Sequence, residues 1–205
     1  MTGDLIPAKV LATHTIANVS ETLAEKLGLP PQYRSIGIIT ADSDDVTYCA
    51  LDEATKAAAV EVVYGRSLYA GAANASTKLA GEVIGILAGP NPAEVQSGLR
   101  ACAEFMDSGV GFRSANEDDS IIYFAHTVSR TGTYLSKTAH VREGEALAYL
   151  IAPPLEAVVG LDEALKASDV ELAALFEPPS ETNFGGGLLT GTQSACNAAC
   201  AAFAQ

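Results

Sequence analysis

The sequence predicts an α/β protein made of two tandem copies of one small domain, each a mainly antiparallel sheet with packed helices. Three observations carry this. An eleven-residue block recurs late in the chain, strand-like and helix-like runs alternate around both copies of it, and turn residues divide those runs at corresponding places.

The block beginning Asp52-Glu53-Ala54-Thr55-Lys56-Ala57 returns 110 residues later as Asp162-Glu163-Ala164-Leu165-Lys166-Ala167, with seven of eleven positions identical. Flanking matches keep the same order. Upstream, His14-Thr15-Ile16 answers to His126-Thr127-Val128, and the apolar run ending at Ala41 to the one ending at Ala152. Downstream, Gly89 and Ala93 answer to Gly191 and Ala195. Two copies follow, over residues 1–112 and 113–205.

In copy one, Val10–Ile16 reads as a strand. Asn18 with Glu21 forms a capping pair for a short helix that Gly28 closes. Pro30-Pro31 separates it from a buried strand over Ile36–Thr40. Asp52 or Glu53 opens an Ala-rich helix, with acids where the helix dipole favours them. Val60–Val63 has the β-branched character of a strand, and Glu82–Leu87 follows as another. The breaker Gly89-Pro90-Asn91-Pro92 precedes a helix over Ala93–Phe105. Copy two ends likewise, with a strand at Gly187–Thr190 and a helix over Ser194–Phe203. The offset shrinks from 110 at Asp52 to 102 at Gly89, so copy one carries the longer loop, Gly65–Gly81 against Pro178–Gly187. Glycine-rich loops at one place in both copies point to a shared role.

Composition narrows the function. The formal net charge is −13, with only 12 Lys and Arg. Binding to nucleic acid or to an anionic membrane needs a basic surface, so neither is expected as a partner. No basic start and apolar run mark a signal peptide, and Val83–Leu87 and Ala146–Pro153 are too short to span a bilayer. The four cysteines form no Cys-x-x-Cys pair, and a cytoplasmic location is expected.

Asp42-Ser43-Asp44-Asp45-Val46 follows an apolar strand and leaves several readings open. As Asp-x-Asp-x-Val it fits a Mg²⁺-dependent phosphohydrolase, with Asp42 as nucleophile and Asp44 as general acid. As a calcium loop it lacks glycine where Thr47 stands and a ligand where Val46 stands. As a plain acidic loop it is solvated. Copy two has Ala152-Pro153-Pro154-Leu155 there, so the acids are an addition to a scaffold that folds without them. Cys196 and Cys200 lie one helical turn apart and read as small core residues. His14 and His126 hold corresponding places and read as structural, and His140 has no acid–base partner nearby in sequence. No catalytic constellation, metal site or cofactor is implied, and the chain is not expected to be an enzyme.

Asp-Glu-Ala-x-Lys-Ala, followed by a Val-rich strand, a Gly-rich loop and a second strand–helix unit, resembles the bacterial microcompartment shell domain. Arg34–Asp45, Tyr64–Ala72, Gly89–Glu94, Val128–Thr133 and Pro179–Asn183 resemble its ethanolamine-utilisation members most. The resemblance implies two tandem, circularly permuted shell domains and a flat homotrimer that imitates a hexamer and adjoins other microcompartment shell proteins. It implies that Lys56 and Lys166 lie at the tile edge. The two Gly-rich loops would gate a central pore, with Tyr69, Asn183 and Phe184 as its plug. Asp44, Asp45, Phe112, Glu181 and Thr182 would line a small acidic pore for metabolites such as ethanolamine.

Overall fold

The computed structural model describes residues 2–67, 83–178 and 184–205. The elements are, in order, β1 (Leu5–Pro7), β2 (Val10–Ile16), α1 (Glu21–Leu27), β3 (Ser35–Ala41), α2 (Asp44–Ala57), β4 (Glu61–Ser67), β5 (Val83–Gly89) and α3 (Pro92–Met106). There follow β6 (Gly111–Ser114), β7 (Ile122–Val128), α4 (Thr133–Ala139), β8 (Ala146–Ala152), α5 (Pro154–Ala167), β9 (Val170–Phe176), β10 (Gly185–Gly191) and α6 (Gln193–Phe203). No helix among the described residues is long and apolar enough to cross a membrane.

The chain divides into two units. One comprises Ala8–Gly109 with Gly132–Tyr134, and the other Met1–Pro7, Val110–Thr131 and Leu135–Gln205. The first holds a four-stranded sheet in the order β2-β3-β5-β4, and the second a six-stranded sheet in the order β1-β6-β7-β8-β10-β9. All described pairings are antiparallel. The order β7-β8-β10-β9 repeats β2-β3-β5-β4 strand for strand. α2 and α5 are each 14 residues long and follow the matching strands β3 and β8. The α/β class with antiparallel sheets and packed helices is as the sequence predicts.

The central strands are apolar on both faces because both faces are covered. All seven residues of β8 are buried, and its Ala148, Leu150 and Ala152 meet Ala157 and Leu161 of α5 and Phe203 of α6. In the first unit, Ile36 on β3 and Ile86 and Ala88 on β5 form a core with Val19 and Ala24, which seats α1. Burial of this kind contributes about 25 cal/mol per Å² of apolar surface.

Several boundaries differ from expectation, each for a local reason. Ser20, not Asn18, caps α1 by accepting the N–H of Leu23, while Gly28 closes it at φ 66°, as expected. Asn91 caps α3 through the N–H of Glu94, with Pro92 beginning the helix. Gly185-Gly186-Gly187 is the start of β10 and not part of a loop, and Gly65-Arg66-Ser67 is the end of β4. Gly186 pairs with Ile151 at φ 154°, where a Cβ would stand 1.9 Å from the Leu150 carbonyl oxygen. Only glycine lets β10 approach β8 there. β1 and β6, three and four residues long, carry too little periodicity to be read in advance.

Candidate functional site

The acidic segment is not a solvated loop. α2 begins at Asp44, eight residues before Asp52, and Asp42, Ser43, Asp44 and Asp45 are all buried. The expectation of an exposed acidic loop, and of a helix opening at Asp52 or Glu53, is corrected. A polar run after a strand is a helix start as readily as a loop, and here Ser43 takes the N-cap position with both acids in the first turn. A calcium-type loop is ruled out by the same helical backbone.

Each polar group at this helix start has a definite place. The Asp42 carboxylate accepts the backbone N–H of Lys9 at 2.6 Å, tying α2 to the start of β2. The N–H of Asp45 donates to Asp44 Oδ1 at 2.9 Å, and Thr47 Oγ1 donates to the Ser43 carbonyl at 2.6 Å. Ser67, at the end of β4, hydrogen-bonds the Asp44 carboxyl, and its Oγ lies 3.2 Å from the Tyr48 hydroxyl. The Tyr48 ring is 6.2 Å from that of Tyr134. Ser43 Oγ is buried without a hydrogen-bond partner among the described residues.

Burial, and then the neighbouring charge of Asp45, hold the Asp44 carboxyl well above the usual carboxylate range, against a smaller opposing effect of Ser67. Burial likewise raises the Tyr48 phenol. Two adjacent carboxyls under 6% exposed cannot both stay charged without compensation. A proton supplies it, and so does a small cation. A primary ammonium brings one positive charge and three N–H donors, which match carboxylate and hydroxyl oxygens.

Phe112 stands on β6, in the other unit from the two aspartates, and is buried. Its ring is 5.4 Å from Phe124 and 5.9 Å from Phe184. Phe112 and Phe184, one expected in the small pore and one in the gate, are therefore neighbours. Tyr69, Glu181, Thr182 and Asn183 lie outside the described residues. Lys56 is mostly buried, paired with Glu53 and 3.5 Å from Asp52. Lys166 is exposed and pairs with Asp162. Cys196 is buried in the α6 core, and Cys200 accepts from Thr127 Oγ1 at 3.4 Å.

Four residues that matter here have no site role in the sequence reading. Tyr48 falls one turn after Asp44 and becomes visible once the helix is started there. Ser67 and Tyr134 arrive by tertiary packing and leave no local signal. Asp52 looks like one more surface acid, yet it is buried and its Oδ2 accepts the N–H of Gly132 at 2.7 Å.

Comparison with known proteins places this architecture. Residues 35–115 match the BMC domain. The chain is 70% identical over 205 residues to the bacterial microcompartment shell protein EutL of Clostridium perfringens, covering all of this chain and 94% of that protein. It is 56% identical over 200 residues to the shell protein EutL of Salmonella typhimurium, covering 98% and 91%. The solved structure of ethanolamine utilization protein EutL from Leptotrichia buccalis superimposes with a TM-score of 0.95 at 69% identity, over 100% of this chain and 94% of that one. The relatives are shell proteins and not enzymes, which removes the phosphohydrolase reading of Asp42 and Asp44. With near full-length identity and the same fold, the chain belongs to the EutL family of bacterial microcompartment shell proteins.

Proposed function

We propose that the chain is a trimeric tile of an ethanolamine-utilisation microcompartment shell in the bacterial cytoplasm, with a gated central pore and small acidic pores that pass ethanolamine. The single observation that carries the metabolite reading is the buried Asp44–Asp45 pair beside Ser67 and Tyr48. Ethanolamine is a two-carbon ammonium with a hydroxyl. Its cation answers the carboxylates, and its hydroxyl needs a donor or acceptor of the kind Ser67 and Tyr48 offer. Relatives described by ethanolamine utilisation favour that ligand over other small cations.

The trimer rests on arithmetic of the repeat. Two units of like strand order per chain fill a sixfold-like ring when three chains close it. Phe112, Glu181 and Thr182 complete the small pore in this reading, Tyr69, Asn183 and Phe184 the gate, and Lys56 and Lys166 the tile edge. The two copies of the repeat span residues 1–112 and 113–205 in this reading, with Met1–Pro7 and Gly132–Tyr134 exchanged between the compact units.

Two measurements test it. Sedimentation of the purified protein should give three times 21.1 kDa, and a stable monomer at micromolar concentration would end the tile reading. Calorimetry should show weak ethanolamine binding, since few atoms contribute, and Asp44→Asn with Asp45→Asn should abolish it. Equal binding by the double variant would overturn the ligand assignment.

A further inference from the structure

Ser67 stands on β4 two residues after Gly65, so the two positions share one face of the strand. Gly65 leaves that face bare. A Cβ there would stand 2.8 Å from the Tyr134 hydroxyl and 3.5 Å from Cε1 of Tyr48, so both rings use the room the glycine leaves. Tyr134 is held by its own segment, since Gly132 donates its N–H to Asp52 and Thr133 donates its N–H to Thr55 Oγ1 at 3.0 Å. Tyr48, Ser67, Tyr134 and the two aspartates all belong to one compact unit. This packing sets the Tyr48 hydroxyl 3.2 Å from Ser67 Oγ, and Ser67 in turn reaches the Asp44 carboxyl.

The direction of the chain follows from counting protons. A charged carboxylate only accepts, so Ser67 donates to Asp44 whenever Asp44 is charged. Ser67 has a single hydroxyl proton, and its lone pairs are then left to accept from Tyr48. Burial raises the Tyr48 phenol and keeps it protonated across the ordinary pH range, so that donor is always present. A protonated Asp44 needs no such donor, because it can donate to the Asp45 carboxyl, its hydrogen-bonded neighbour. The order Tyr48 to Ser67 to Asp44 therefore favours the charged form of Asp44 over the neutral one.

We infer that Tyr48 is a positioning residue of the ammonium site: its hydroxyl fixes Ser67 as a donor to Asp44 and so keeps that carboxylate open to a cation in place of a proton. This deepens the metabolite reading and, for ethanolamine itself, rests on it. The opposing charge is Asp45, which favours the proton. Other groups on the surrounding elements are engaged elsewhere. Asp42 takes the Lys9 N–H, and Arg66 lies on the opposite face of β4 from Ser67. Asp52, Glu53 and Lys56 pair with one another farther along α2. On α3, Cys102 donates to the Ala50 carbonyl at 3.3 Å and Glu94 accepts the Ala59 N–H at the far end of α2. β5 carries no titratable side chain.

Carbon-13 carboxyl titration of the full chain, labelled at aspartate, tests this without any ligand, the Asp44 signal being the one lost in Asp44→Asn. Ser67→Ala should raise the Asp44 midpoint by about one pH unit, because a hydrogen bond to the charged form is lost. Tyr48→Phe keeps the ring and should raise the midpoint by about half as much. Ser67→Thr keeps the hydroxyl and should restore the parent's midpoint. In Ser67→Ala and Tyr48→Phe the pH at which ethanolamine affinity halves should move up with the midpoint. An Asp44 midpoint unmoved by Tyr48→Phe overturns the positioning role, as does an affinity lost equally at every pH. Midpoints that rise as expected in a protein that binds no ethanolamine uphold the role of Tyr48 and end the ethanolamine assignment.

Discussion

Asp52 and Gly132 meet across eighty residues of sequence, carboxylate to backbone N–H at 2.7 Å, with the acid fully buried. Lys56 Nζ lies 3.5 Å from the same carboxylate, so the charge is balanced where water is excluded. Asp52→Ala should cost about 1–3 kcal/mol, because it strands a buried donor. Urea unfolding measures the loss, and faster hydrogen exchange at the Gly132 amide locates it.

Gly132 has no room to change. A Cβ there would stand 2.2 Å from Thr55 Oγ1 and 2.7 Å from the Asp52 carbonyl oxygen. Gly132→Ala should lower stability by about 1–3 kcal/mol. Adding Thr55→Ala should restore part of that and no more, since the backbone oxygen remains. Thermal unfolding of the two variants decides it, and full recovery would mean that only the side chain matters.

Much of this architecture was legible beforehand, and the gaps have physical causes. The repeat at Asp52 and Asp162, the strand at Val10–Ile16 and the closure of α1 by Gly28 are local properties of the chain, where pattern and turn chemistry act on neighbours. The burial of Asp44 and Asp45 is not local. A carboxylate reads as solvated unless its cover is known, and part of that surrounding polar network, Ser67 and Tyr134, comes from distant segments. β1 escaped for a related reason, since three residues become a strand only when β6 lies alongside.

Asp44 should make stability depend on pH. Its carboxyl titrates higher folded than its usual value of 3.8, so between those points the folded state binds the extra proton. Stability is full below about pH 3.8 and falls as pH rises through the folded value, by at most about 1.4 kcal/mol per pH unit. Asp44→Asn, neutral throughout, should flatten this dependence and be the more stable protein at pH 8. Urea midpoints at pH 5 and pH 8 test the sign. Ethanolamine should bind more weakly as pH falls across the same range, because proton and ammonium compete for one carboxylate.

Gly186 faces the Leu150 carbonyl so closely that any side chain must part β8 from β10. Gly186→Ala should cost about 3 kcal/mol or more and lower the yield of folded protein. An unchanged melting temperature would count against the close strand approach.

The partner of β1 has a consequence for synthesis. Leu5–Pro7 leaves the ribosome before Ala8–Gly109 does, yet it pairs with Gly111–Ser114, more than a hundred residues later. The unit that includes Ala8–Gly109 has nearly all its residues before that partner strand appears. Domains generally fold as units in the order they emerge, so the leading strand waits unpaired while a whole domain forms behind it. It is then joined to the unit completed last. A nascent chain arrested when residue 109 has just cleared the ribosomal exit tunnel should therefore show that earlier unit protected from protease and Leu5–Pro7 open to it.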